Sequence, residues 1–315
     1  MQSIPKLDLS HFTHGSDSQK HHFVNELGYA YEHIGFVAIR NHGIPNEVLT
    51  DLYREVKNFF DLSERVKMQY DDSMGGGQRG YTGFGKEHAK NRNAGDLKEF
   101  WHFGQYTEGA TVEVPSYPAN KVVAELPSFN KAGETIYKAL EETGIQILRA
   151  IALHLALDEN YFDDKVRYGN SILRAIHYPP ITGDPKDAIR AGEHEDINLI
   201  TLLVGASADG LQILTKQNEW VGVTSLPEQI VVNVGDMLQR LTNNKLRSTT
   251  HRVVNPPREL WHTSRFSIPF FLHPKGNMSL ACLDSCVDEA NPKHYPDATA
   301  GEYLDERLRE IGLKK

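Results

Sequence analysis

The spacing of apolar residues changes character along the chain. From Ser18 to His33 they recur at helical spacing, a short extended run follows at Gly35 to Arg40, and the helical spacing returns from Asn46 to Phe60, with Pro45 or Asn46 at its start. Leu126 to Leu157 reads as one long helix, because Ile136, Leu140, Ile147, Leu148, Ile151 and Leu155 line a single stripe. Beyond Ser171 the pattern breaks into short strands separated by turns: Ile197 to Val204, Leu211 to Thr215, Trp220 to Thr224, Ile230 to Val234 and Arg265 to Leu272. That succession predicts a double-stranded β-helix, or jelly roll. The expected fold class is α+β, mainly β: a jelly-roll core, flanking helices including one long helix, and an N-terminal α/β extension. Residues 1–120 and 121–315 are expected to form these two regions and to pack as one compact unit.

Composition narrows the partners. The chain has 315 residues, 39% hydrophobic and 24% charged, which is ordinary for a folded protein with a sizeable core. A formal net charge of −8 and a pI near 6.0 argue for a small-molecule partner and against a nucleic-acid surface. No apolar run has the length of a membrane span, and the N-terminus lacks a basic-then-apolar signal, so no membrane partner and a cytoplasmic location are expected. Cys282 and Cys286, the two cysteines, lack a second pair and are expected to be inert thiols. Oligomeric state leaves no mark in the sequence.

The candidate chemistry begins at His194-Glu195-Asp196, with His251 following 57 residues after His194. Two imidazoles and one carboxylate form the set that binds Fe(II) on one face and leaves three positions open for reaction. Side chains two apart on an extended segment share a side, so one short strand could present His194 and Asp196 together at the entrance of the apolar run that follows. Glu195 alternates away from that side, which counts against a zinc hydrolase needing a base beside its metal. Arg265-Phe266-Ser267 also alternates, placing a forked cation and a hydroxyl on one face, as a bound carboxylate requires. Gly75-Gly76-Gly77-Gln78-Arg79-Gly80 matches a dinucleotide fingerprint but lacks the strand before it and the helix after it. Ser73 to Gly85 is expected to be a loop instead.

In this order, His194-x-Asp196, His251 and Arg265-x-Ser267 resemble the Fe(II)- and 2-oxoglutarate-dependent dioxygenases, in the branch that includes isopenicillin N synthase and plant flavonoid and hormone oxygenases. Ser171 to Pro180 is similar to the family strand whose tyrosine, here Tyr178, precedes a proline. Ile4 to Ser10 and Gly35 to Ile44 are similar to that branch's N-terminal signature, so the resemblance spans roughly residues 1–310. It implies Fe(II) held by His194, Asp196 and His251, with O2 as oxidant and 2-oxoglutarate as cosubstrate, its distal carboxylate gripped by Arg265, Ser267 and Tyr178. The implied reaction oxidises an unactivated C–H bond of a small metabolite, most simply by hydroxylation, and releases succinate and CO2. The resemblance also implies a loop over the pocket mouth with Tyr81 and Phe84 as substrate contacts, and makes Trp101 and Phe271 pocket candidates. Arg174 lies four residues before Tyr178 and should share its side, where it would need an anion, a structural carboxylate or the substrate's own. Two departures stand out: Ile176 replaces the asparagine that many plant members have, and the 14 residues from His251 to Arg265 imply an enlarged turn over Pro256 to Ser264. An oxidase like isopenicillin N synthase, which uses no 2-oxoglutarate, and an inactive jelly roll that binds a small acid are the competing expectations.

Overall fold

The computed structural model describes residues 4–72, 77–87, 95–110, 114–115, 117–205, 209–224, 226 and 228–310. In chain order its strands are β1 (Lys6–Asp8), β2 (Phe36–Arg40), β3 (Gly80–Thr82), β4 (Glu99–Phe103), β5 (Ile172–Tyr178) and β6 (Ala191–His194). They continue with β7 (Ile200–Val204), β8 (Leu211–Leu214), β9 (Trp220–Gly222), β10 (Ile230–Val234), β11 (His251–Val253) and β12 (Arg265–Leu272). The helices are α1 (Ser10–Thr13), α2 (Asp17–His33), α3 (Asn46–Phe60), α4 (Glu64–Lys67), α5 (Pro127–His154), α6 (Asp163–Val166), α7 (Asp236–Leu241) and α8 (Ala300–Glu310).

A major sheet runs β1-β2-β10-β7-β12-β5-β4-β3, and a minor sheet runs β6-β11-β8-β9. The first four strands of the chain join the major sheet beside strands of the second half, through β2 against β10 and β4 against β5. Register separates its two faces, because paired residues point the same way. Val37, Trp101, Leu173, Leu202, Val232 and Phe270 belong to the large core shared with α2, α3 and α5. Their alternating neighbours Phe36, Ala38 and Val231 pack with Leu211 and Ile213 of the minor sheet. Phe100, Ile176 and Tyr178 pack with Ala191 and Val253. The space between the sheets therefore holds the second set.

Local sequence explains the helices. Ser16 and Gln19 form a reciprocal capping box that starts α2. Pro127 occupies the first turn of α5, where its missing N–H costs nothing. α5 ends at His154, three residues before the expected Leu157, because Ala156 turns left-handed at φ 56° and Leu157 N–H bonds back to the Ala152 carbonyl. On its sheet-facing side Gly133 meets the Phe103 ring, and an added Cβ there would come within 2.3 Å of it. Several strand expectations shorten: β2 begins at Phe36 rather than Gly35, Leu211–Leu214 stops before Thr215, Trp220–Gly222 stops before Thr224, and β7 begins at Ile200 rather than Ile197. Residues before Ile200 spend their backbone groups elsewhere, with Leu199 N–H on the Leu272 carbonyl and the Asn198 carbonyl taking the Met237 N–H. The expected loop from Ser73 to Gly85 contains strand β3, while Gly75 and Gly76 lie outside the described residues.

Candidate metal and cosubstrate site

His194 ends β6 and His251 opens β11, directly opposite it in the minor sheet. Asp196 is not on the strand with His194, as the spacing suggested, but two residues past its end on the segment leading to β7. The major sheet claims its carboxylate: Thr201 Oγ1 of β7 and Asn233 Nδ2 of β10 donate to Oδ2 at 2.6 and 2.8 Å. Asn198 Nδ2 in turn donates to the Thr201 hydroxyl at 2.8 Å. Oδ1 is left facing the histidines, 3.8 Å from His194 Nε2 and 3.6 Å from His251 Nε2.

Both imidazoles are set for metal binding by their far nitrogens. Nδ1 of His194 lies 2.7 Å from the Gly192 carbonyl and Nδ1 of His251 3.1 Å from the Thr249 carbonyl. A carbonyl accepts only from N–H, so each ring keeps its proton on Nδ1 and turns the Nε2 lone pair inward. Burial, and then the neighbouring His251 ring, hold the His194 ring towards the neutral form. Burial alone would raise the Asp196 pKa, but His251, His194 and the bonds from Asn233 and Thr201 outweigh it, so the carboxyl falls below its ordinary range. One ligand atom from each of the three residues lies within 4.8 Å of the other two. Two neutral nitrogens and one carboxylate oxygen, converging on one side, fit a divalent iron with open positions opposite.

Beside this centre, Arg265 pairs with Tyr178 across β12 and β5, and Ser267 pairs with Ile176. All three side chains of the expected carboxylate grip are buried, and the Arg265 guanidinium carbon lies 5.0 Å from the Tyr178 ring centroid. Arg174 shares their face and pairs with Glu87 at 3.1 Å. It also donates from Nε to His102 Nε2 at 2.6 Å and packs against Phe100 and Phe271, at 4.2 and 5.3 Å from their ring centroids. Lys98 completes the cluster, 2.6 Å from Glu87 and 2.8 Å from Asp96, whose other oxygen accepts the Gly192 N–H. Against its burial, Arg174 and Lys98 hold the Glu87 carboxyl well below its usual range.

Two pocket candidates turn away from the Arg174 face. Tyr81 and Trp101 pair with each other across β3 and β4 and lie on the helix-facing side, where Trp101 packs on Phe59 and Phe129 and the Tyr81 hydroxyl bonds to Glu99. The reason is strand phase: Trp101 is opposite Ala175, one position out of step with Arg174. Phe84 lies 53% exposed on a turn, next to Gly85, whose N–H bonds to the Lys98 carbonyl. Sequence reasoning did not name Thr201, Asn233, Glu87, Lys98 or His102. The mix of charge and aromatics from Asp96 to His102 was a visible signal for Lys98 and His102, and so was Asn233 as a polar residue inside an apolar strand. Cys282 and Cys286 are free and buried far from these residues in sequence.

A jelly roll that brings two histidines and an aspartate together at its centre, with an arginine and a tyrosine side by side next to them, defines a non-haem iron oxygenase. Residues 169–274 match the 2OG-Fe(II) oxygenase superfamily, and residues 4–125 match the non-haem dioxygenase in morphine synthesis N-terminal family. The chain is 30% identical to the 2-oxoglutarate-Fe(II) type oxidoreductase hxnY of Emericella nidulans, covering 99% of this chain and 92% of that protein. It is 32% identical to ppzD of Metarhizium majus, described in the same words, over 97% and 94%. Among solved structures it superposes on a 2OG-Fe(II) oxygenase family protein of Caulobacter crescentus with a TM-score of 0.88, 39% identity and 99% and 100% coverage. A full-length Neurospora crassa protein solved in complex with alpha-KG gives a TM-score of 0.86 at 28% identity, over 97% and 95%. The chain belongs to the 2OG-Fe(II) oxygenase superfamily. It is a dioxygenase that uses Fe(II), 2-oxoglutarate and O2.

Proposed function

We propose that the protein hydroxylates a C–H bond of a small, polar, planar metabolite, with His194, Asp196 and His251 as the iron ligands. Arg265, Ser267 and Tyr178 hold the distal carboxylate of 2-oxoglutarate, and Arg174 with Phe271 and Phe100 borders the substrate. The convergence of the three ligand atoms carries this reading. Bound Fe(II) supplies O2 activation coupled to decarboxylation of the cosubstrate. The chain's own part is to bind, orient and keep the site dry. Asp196 is fixed by Thr201 and Asn233, so one oxygen stays on the metal side. Arg265 and Ser267 sit on alternate positions of β12 and meet a carboxylate with a fork and a hydroxyl.

Arg174, although it has its structural carboxylate in Glu87, supports the substrate class. Its guanidinium lies against two aromatic rings on the inner face, which favours a flat molecule with hydrogen-bond acceptors. The same Neurospora crassa protein has been solved with alpha-KG and thymine, a molecule of that kind, which supports this substrate class. Tyr81 and Trp101, packed in the helix-side core, are left out of this pocket, and Phe84 is kept only as a candidate at its mouth. The N-terminal match supports the branch that includes isopenicillin N synthase, while the relatives named for 2-oxoglutarate favour that cosubstrate over the oxidase reaction. The acidic net charge supports a metabolite rather than a nucleic acid. No helix among the described residues is long and apolar enough to cross a membrane. We propose a cytoplasmic location and, because β2 pairs with β10 and β4 with β5, one unit rather than two separable regions.

The test is anaerobic addition of Fe(II) and 2-oxoglutarate to apo-protein, followed by O2 and a panel of flat heterocycles and amino acids. A visible charge-transfer band that His194→Ala abolishes, and a product one oxygen heavier with matching succinate, are expected. Turnover of amino acids with no turnover of heterocycles would overturn the substrate class. Iron without the band would overturn the cosubstrate assignment.

A further inference from the structure

Arg190 lies immediately before β6, at the edge of the minor sheet, and is 2% exposed. Its Nη2 donates to the Thr263 carbonyl at 3.3 Å, and its Nε has no hydrogen-bond partner among the described residues. No acidic residue among them acts on it. Burial, and then the charge of Arg265, bring its pKa down to about 10. A buried guanidinium near a second one, with no carboxylate of its own, is costly unless an anion comes from outside. The two cations share one landmark: the Arg190 guanidinium carbon lies 5.8 Å from the Tyr178 ring centroid and that of Arg265 5.0 Å.

We propose that Arg190 is a second guanidinium of the cosubstrate site, meeting the distal carboxylate of 2-oxoglutarate from the minor-sheet side while Arg265 meets it from the major sheet. A carboxylate has about four lone-pair directions, enough for two forked donors or for one fork with a hydroxyl beside it. The Nε left without a partner is the donor with capacity to spare. Arg190 is thus a cosubstrate-binding residue, and its effect is selectivity. A keto acid lacking the distal carboxylate leaves the buried Arg190 guanidinium with no anion to meet, so the site discriminates against it more strongly than it would without Arg190.

The inference rests on Arg265 and Tyr178 marking the distal end of the cosubstrate, and the test separates the two ideas. Fe(II)-loaded protein is titrated anaerobically with 2-oxoglutarate and with 2-oxopentanoate, which has the same metal-chelating head and no distal carboxylate. The charge-transfer band reports binding, in wild type, Arg190→Gln and Arg190→Lys. Arg190→Gln is expected to weaken 2-oxoglutarate about tenfold or more and 2-oxopentanoate less than about twofold, with Arg190→Lys in between. Equal weakening of both ligands would make Arg190 a structural donor to Thr263 and overturn the proposal, as would unchanged affinity for 2-oxoglutarate. Should Arg190→Gln not fold, the same ratio measured in Arg190→Lys decides. Wild-type protein that holds iron but gives no band with 2-oxoglutarate would overturn the cosubstrate assignment along with it.

Discussion

Asn233 and Thr201 turn an aspartate into an oriented ligand by occupying the oxygen that faces away from the histidines. Removing either donor frees the carboxylate to rotate. Thr201→Val and Asn233→Leu are each expected to lower divalent-metal affinity by about 10–100-fold, measured by anaerobic Fe(II) titration, with little change in unfolding midpoint for the apo-protein. Unchanged affinity would mean that the histidines alone set the site. The ligands themselves were legible because a fixed order of His, Asp, His, Arg and Ser carries the chemistry in residue type and spacing. Their supports were not, since Thr201 and Asn233 meet Asp196 only through sheet pairing. Arg190 left no signal either: its neighbours Thr263 and Tyr178 are remote in sequence.

At the level of elements, α5 allows the sharpest forecasts. Burial pushes the Glu141 carboxyl up to about 7 from an ordinary 4.5, and Oε1 has no hydrogen-bond partner among the described residues. Between those values the folded protein binds more protons than the unfolded chain, so stability falls as pH rises through that window, and the full cost applies above it. Glu141→Gln should therefore raise the unfolding free energy by about 1–3 kcal/mol at pH 8 and bring no gain at pH 4, as read by urea denaturation at both. Gly133→Ala would ordinarily favour a helix by about 1 kcal/mol. Here the methyl meets the Phe103 ring, so a loss of about 1–3 kcal/mol is expected instead, and a stabilised variant would show that the ring can move aside. The long helices were legible because many residues repeat one period. Strands β3 and β4 were not read from the sequence, because their few residues lie among glycines and charged side chains and show no clear period of two. That is why Tyr81 and Trp101 were expected on the wrong face: without β4 in view, nothing fixed the phase.

Taken whole, the protein is two sheets whose shared space is lined by chemistry at one place and by apolar packing at others. His194 and His251 belong to the minor sheet, and Asp196 is held by the major one. A metal bound by all three therefore links the sheets, and binding that favours the folded state raises its melting temperature. An O2-inert divalent ion such as Mn(II), with 2-oxoglutarate, should raise the melting temperature by several degrees in wild type and by almost nothing in Asp196→Ala. Equal shifts in both would place the ion elsewhere. The same wiring sets where the chain can change length in the course of descent. Between His194 and Thr201 the Asp196, Asn198 and Leu199 carbonyls are bonded to Asp236, Met237 and Gly235, so one inserted residue would carry the carboxylate out of reach of its partners. From Pro257 to Leu260, inside the long turn before Arg265, the residues are exposed, and a lineage can add or shed them there without cost to the iron.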